Sequence, residues 1–145
     1  MSDEVEVISD DRPWDDGVDN PPDLQLVTLA HACFDLARAG DTERLAAYIE
    51  HGVPVNLTDA TGNTLLMLAA HHGHSETVSL LLALGADPDR TNDRGQSPLA
   101  GAISKGEDDV VEALLVAEAD PDVGTPSARA TAEMVNRGEL LTQAP

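Results

Sequence analysis

The stretch GNTLLMLAAHHGHSETVSLLLALGADPD begins at Gly62, and GQSPLAGAISKGEDDVVEALLVAEADPD begins 33 residues later at Gly95. Gly62 pairs with Gly95, Thr64 with Ser97, Leu66 with Leu99, Ala69 with Ala102 and Gly73 with Gly106. Val78 pairs with Val111, Leu81 and Leu82 with Leu114 and Leu115, and Asp87-Pro88-Asp89 with Asp120-Pro121-Asp122. One step upstream lie Gly40, Leu45, Ile49 and Gly52. One step downstream, Thr131 to Val135 fall in phase, with Gly138 one position early. Such a period constrains the fold more tightly than any composition. Each unit has an apolar face that only a neighbour can cover, so the chain must stack.

Within one period the residues read as two antiparallel helices and a projecting loop. Thr64 and Ser97 are N-cap residues for a first helix. Ala69 and Ala70 let that helix approach its neighbour closely. Gly73 and Gly106 permit the tight turn that follows. Glu43, Glu76 and Asp109 open the second helix, where a carboxylate complements the dipole. Leu81, Leu82, Leu114 and Leu115 form that helix's inner face. Gly85 ends it, and the stretch to Gly95 projects as a β-hairpin finger.

The pattern resembles the ankyrin repeat over roughly residues 30 to 138. The family's signature is matched by Asp59, Gly62, Thr64, Leu66, Ala69, Ala70, Gly73, His74, Val78, Leu81, Leu82, Gly85, Ala86 and Asp87. A second copy supplies Gly95, Ser97, Pro98, Leu99 and Ala102. The layout is similar to that of small, free-standing bacterial ankyrin proteins. The resemblance implies an all-α solenoid of stacked helix-turn-helix units with short β-hairpin fingers. It also implies that His74 caps a turn. The family histidine of the first helix is replaced by Met67 and Ala100. Glu118 stands where Gly85 predicts a glycine, which weakens the cap of that helix.

This divides the chain into an acidic tail at 1–22 and a repeat domain at 23–145. The domain comprises an N-capping helix pair at about 23–56, repeats at about 57–89 and 90–122, and a C-terminal cap at about 123–145. The first helix starts at Asp23 and carries Leu24, Val27, Leu29, Ala30, Cys33, Phe34 and Ala37. A complete fourth finger is not expected, because the link after Asp122 has few strand formers. The tail holds three prolines and no apolar periodicity, so it is expected to be mostly disordered. Trp14 stands out there as an anchor, either for the chain's own first helix or for a partner.

Composition excludes several functions. The 145 residues carry a formal charge of −19, which repels nucleic acid and anionic membrane. Aromatic content is 2%, so the core must be aliphatic. Cys33 is the only cysteine, which rules out an internal disulfide; on its apolar face it reads as a buried thiol. No signal segment or membrane span is expected, which points to the cytoplasm.

His71, His72 and His74 invite a metal reading. However, a helix ending before Gly73 separates them, and zinc needs three or four convergent ligands. No catalytic, cofactor or metal residues are assigned. Arg38, His71 and Arg137 share a phase at the end of the first helix, as do His72 and Lys105 at the next. Cations there complement the helix dipole, or form a positive strip along a groove.

The resemblance implies a non-enzymatic module that binds a partner protein. Recognition is expected from the finger residues Ala60, Thr61, Asn63, Arg90, Asp93, Arg94 and Gln96, and from His71, His72, Ser104 and Lys105 in the groove. The protein is expected to be a monomer. Two alternatives stand beside this: an accessory factor for an enzyme, such as one in stress response, and a binder whose acidic tail covers its own groove.

Overall fold

The computed structural model describes residues 22–142. Trp14 and the rest of the acidic tail lie outside the described residues. Eight helices follow one another among the described residues: α1 (Pro22–Ala39), α2 (Thr42–Glu50), α3 (Leu65–His71), α4 (Ser75–Ala83), α5 (Pro98–Lys105), α6 (Asp108–Val116), α7 (Ala128–Met134) and α8 (Glu139–Thr142).

The caps lie where the repeat places them. Thr64 Oγ1 accepts from the Met67 N–H and Ser97 Oγ from the Ala100 N–H, both at 3.1 Å. Both cap residues are buried, at 1% and 0% exposure, so their oxygens have no recourse to water. Such a cap contributes about 1 kcal/mol. The turn after each first helix uses the left-handed region, at Gly40, Gly73 and Gly106 with φ of 74°, 76° and 76°. Only glycine adopts this without steric cost.

The helices form two layers. α1, α3, α5 and α7 pack in sequence, and α2, α4 and α6 pack in sequence behind them. Between the layers Leu45, Leu65, Leu66, Leu81, Leu99 and Leu114 are almost completely buried. Ala69, Ala70, Ala102, Ala128 and Ala132 separate the inner helices and are just as inaccessible. The core is aliphatic, as the composition requires.

The fingers differ from the expected β-hairpins. Among the described residues there are only isolated bridges, Thr58 with Thr64 and Gly124 with Ser127. Each finger reverses on two backbone bonds, Asp59 N–H to Asn63 O with Gly62 N–H to Asp59 O, and Asn92 N–H to Gln96 O with Gly95 N–H to Asn92 O, at 2.9 to 3.0 Å. Two further amides of each turn donate to its Asx side chain. Asp59 Oδ1 accepts from Thr61 and Asn63, and Asn92 Oδ1 accepts from Arg94 and Gln96. Asx side chains thus take the place of a strand ladder. Successive fingers are tied by Asp93 N–H to Thr61 O at 3.0 Å and Thr125 N–H to Gly95 O at 2.8 Å.

The last unit breaks the 33-residue step. α7 is capped by Ser127, whose Oγ accepts from the Ala130 N–H at 3.1 Å, thirty residues after Ser97. Ala132 therefore matches Ala102, and Asn136, with φ of 62°, takes the place of Gly106. The linking loop is three residues shorter than its predecessors. Arg137 consequently leaves the row of Arg38 and His71. It lies just before α8 and pairs with Asp108 at 3.1 Å and Glu139 at 3.5 Å. The shared phase expected for Arg137 is thus corrected, and Met134 holds that place in the row.

Candidate functional site

A cleft of about 650 Å³ lies between α1 and the first finger, lined by residues including Ala30, His31, Phe34, Arg38, Ala60 and Thr61. Arg38 is paired there with Asp35 at 2.9 Å and Asp59 at 3.9 Å. Burial pushes the Asp59 carboxyl up, but bonds from the amides of Asn63 and Thr61 and from their side chains outweigh it and hold the group below its ordinary range. Asp59 therefore stays ionised and fixes the finger.

One repeat on, His71 takes the place of Arg38. Its ring is half-buried over Gly101 of α5, where an added Cβ would stand 2.5 Å from His71 Nε2. The absence of a side chain at Gly101 makes room for the imidazole. Burial lowers the His71 pKa, a hydrogen bond to Gln96 raises it, and the charges of Lys105, His72 and Arg94 lower it further. The net effect favours the neutral form of the ring, with Lys105, His72 and Arg94 close by. Arg94, Lys105 and His72 are exposed. Arg90, Arg94 and Lys105 have no ion pair among the described residues.

The other two histidines bond backbone carbonyls. His72 Nδ1 bonds Leu68 O at 3.0 Å, a carbonyl of its own helix that also accepts from the His72 N–H at 3.2 Å. His74 Nε2 donates to Arg38 O at 2.8 Å, a carbonyl of the preceding repeat. The turn-capping role expected of His74 is thus a bond between repeats. The His72 and His74 rings stack with centroids 6.3 Å apart. Among the described residues, no group of three or more His, Cys, Asp or Glu is placed to hold a metal.

The expected recognition residues divide into two sets. His71, His72, Arg94, Gln96 and Lys105 come together around α3, α5 and the second finger, with Ser104 exposed on α5. Ala60 and Thr61 line the cleft beside α1. Asn63 serves the scaffold instead: its amide donates to Thr61 Oγ1 and its Oδ1 accepts from Asn92 Nδ2, both at 2.9 Å. Arg90 and Asp93 are exposed on the loop between α4 and α5.

Sequence reasoning missed the cleft residues His31 and Phe34, and Met134, 67% exposed at the C-terminal end of the row. The signal for Met134 was Ser127, a cap residue three positions early.

A sequence model of ankyrin repeats, in three copies, matches residues 30–125, a span that holds the second half of α1 with α2, and the pairs α3/α4 and α5/α6. The chain belongs to the ankyrin-repeat family, whose repeats are generally protein–protein interaction modules and typically non-enzymatic. It is similar to an ankyrin repeat protein of Pseudomonas aeruginosa, 46% identical over 65 residues, or 43% of this chain and 38% of that protein. It is also similar to osteoclast-stimulating factor 1 of Monopterus albus, 38% identical over 58 residues, covering 40% of this chain and 27% of the relative. A 60 kDa lysophospholipase of Mus musculus is 41% identical over 64 residues, covering 44% of this chain and 11% of that enzyme. The aligned segments thus span well under half of each relative. No helix among the described residues is long and apolar enough to cross a membrane.

Proposed function

We propose that this chain is a non-enzymatic module that binds a partner protein through its fingers and groove. What supports this reading is the cluster of Arg94, Lys105, His72 and His71 on a chain of net charge −19. Arg90 and Arg94 on the second finger and Lys105 at the end of α5 are not paired with carboxylates among the described residues, so each is available to a partner's acidic or mixed patch. The module acts in the cytoplasm as a monomer, without nucleic acid, membrane or cofactor.

An accessory role beside an enzyme specifies a class of partner rather than a different surface. A redox version of that role would need a reactive thiol, and Cys33 is fully buried with its pKa pushed up by burial to about 11.

The test is to substitute Arg90, Arg94 and Lys105 together by Glu and to compare capture of cell proteins with that by the native chain. Proteins that the native chain retains and the variant loses, with helical content unchanged, support the reading. An identical set retained by both places the binding surface elsewhere.

A further inference from the structure

The outer layer of helices carries a second open surface. Between α4 and α6 lies a groove of about 450 Å³. Its apolar lining comes from Leu82 of α4 and from Ala113, Val116 and Ala117 at the end of α6. Val116 is 71% exposed, more than any other large hydrophobic residue among those described. None of Arg90, Arg94 and Lys105 lines this groove.

The repeat explains why the groove is there. One step earlier α4 packs on α2, and the positions of Ala113 and Ala117 hold Leu80 and Leu84, both partly buried. Residues four apart share a helix face, so cutting both leucines to alanine leaves open the space their side chains would fill. A polar tie is lost at the same step. Thr42 and Thr77 share a hydroxyl–hydroxyl bond of 2.7 Å between α2 and α4. Ser75 stands in the place of Thr42 one repeat on, but Val110 stands in that of Thr77. The Ser75 hydroxyl therefore lines the groove without that partner.

Charge says what suits the space. Asp109 and Glu112 also line it, both exposed and neither in an ion pair among the described residues. No basic residue lines it. A second copy of the chain would bring these carboxylates against themselves, and the field of a −19 chain repels acidic partners. From Asp109 to Ala117 the groove runs along eight residues of α6, about 12 Å, or roughly two turns of a helix laid beside it.

We propose that the outer groove docks a basic amphipathic helix of a partner protein. Two aliphatic side chains, roughly three or four residues apart, enter over Ala113 and Ala117, and lysine or arginine lies beside Asp109 and Glu112. This surface is additional to the fingers and takes a partner of opposite charge.

The probe is a labelled peptide of leucine and lysine, about fifteen residues long, with its leucines along one helix face. Its binding to the full-length chain is followed by fluorescence anisotropy, beside a scrambled peptide of the same composition. The native chain should bind the amphipathic peptide saturably and more tightly than the scrambled one. Ala113→Leu with Ala117→Leu fills the groove without changing charge, and should weaken binding by about tenfold or more. Val116→Ser alters an exposed side chain and should also weaken it; this variant alone decides if the filled one loses helical content. Asp109→Asn with Glu112→Gln should weaken binding more than Glu43→Gln with Glu50→Gln, which removes the same charge from α2. No binding by the native chain, equal affinity for the two peptides, or native affinity in the deciding variant overturns the proposal. The variant with Arg90, Arg94 and Lys105 changed to Glu should bind this peptide at least as tightly as the native chain, so failure of the finger surface and failure of the outer groove are read separately.

Discussion

Glu118 is the place where the repeat departs most from its own rule. At the equivalent position one repeat earlier stands Gly85, with φ of 101°, and in the first unit Gly52, with φ of 116°. Glu118 adopts φ of 66° in their place. Its side chain is exposed and makes no hydrogen bond or ion pair among the described residues, so only the backbone is in question. The left-handed region costs a residue with a Cβ about 1 to 2 kcal/mol. Glycine relieves that strain but gives back about 0.4 to 1 kcal/mol through its more mobile unfolded chain. Glu118→Gly should therefore stabilise the protein by about 0.5 to 1 kcal/mol, raising Tm by about 1 to 4 °C for a chain of this size. Charge must be separated from strain, since removing one acid from a −19 chain also relieves repulsion. Glu118→Gln keeps the strain and removes the charge, and should give less than half the gain. The reciprocal change, Gly85→Gln, meets no atom within 4 Å of its Cβ, so its loss of about 1 kcal/mol or more would be backbone strain alone. Chemical denaturation of the three variants reads all of this. Equal gains from Glu118→Gly and Glu118→Gln, or a neutral Gly85→Gln, would refute the strain argument.

Two further outcomes follow from the buried groups. Because His71 has a lowered pKa in the fold, the unfolded chain binds more protons there. Its contribution is present above the unfolded value of about 6.5 and is lost as pH falls through the lower folded value; His71→Gln should flatten the stability profile on that acid side, and an unchanged slope counts against the buried-imidazole account. For Cys33, buried and raised to about 11, labelling by a thiol reagent at neutral pH should proceed only as fast as the stack opens, and denaturant should accelerate it strongly. Rapid labelling of the native protein would contradict the packing of α1.

Much of the architecture is legible in the chain because local rules and the repeat agree. Thr64 and Ser97 announce helix starts, Gly73 and Gly106 announce turns, and paired leucines 33 residues apart announce which face is covered. Each of these is a short-range requirement of backbone geometry or an apolar face, so residues near in sequence suffice to show it. The end of the solenoid is less legible. The periodic step places Arg137 with Arg38 and His71, whereas the loop before α7 is three residues shorter and Met134 occupies that row. Ser127 carried the signal, but one serine among several polar residues does not outweigh a strong period.

The sequence alone thus determined a stacked, two-layer solenoid with an aliphatic core, an acidic body and a single thiol facing inward, since these depend on periodicity, composition and steric limits at single residues. Only the tertiary structure decided what the histidines do. His74 reaches a carbonyl 36 residues earlier, and His71 rests over a glycine 30 residues later, close to Arg94 and Lys105. Those relations exist only once neighbouring repeats have docked, because an imidazole's partners and its pKa are set by whatever surfaces the stack brings against it.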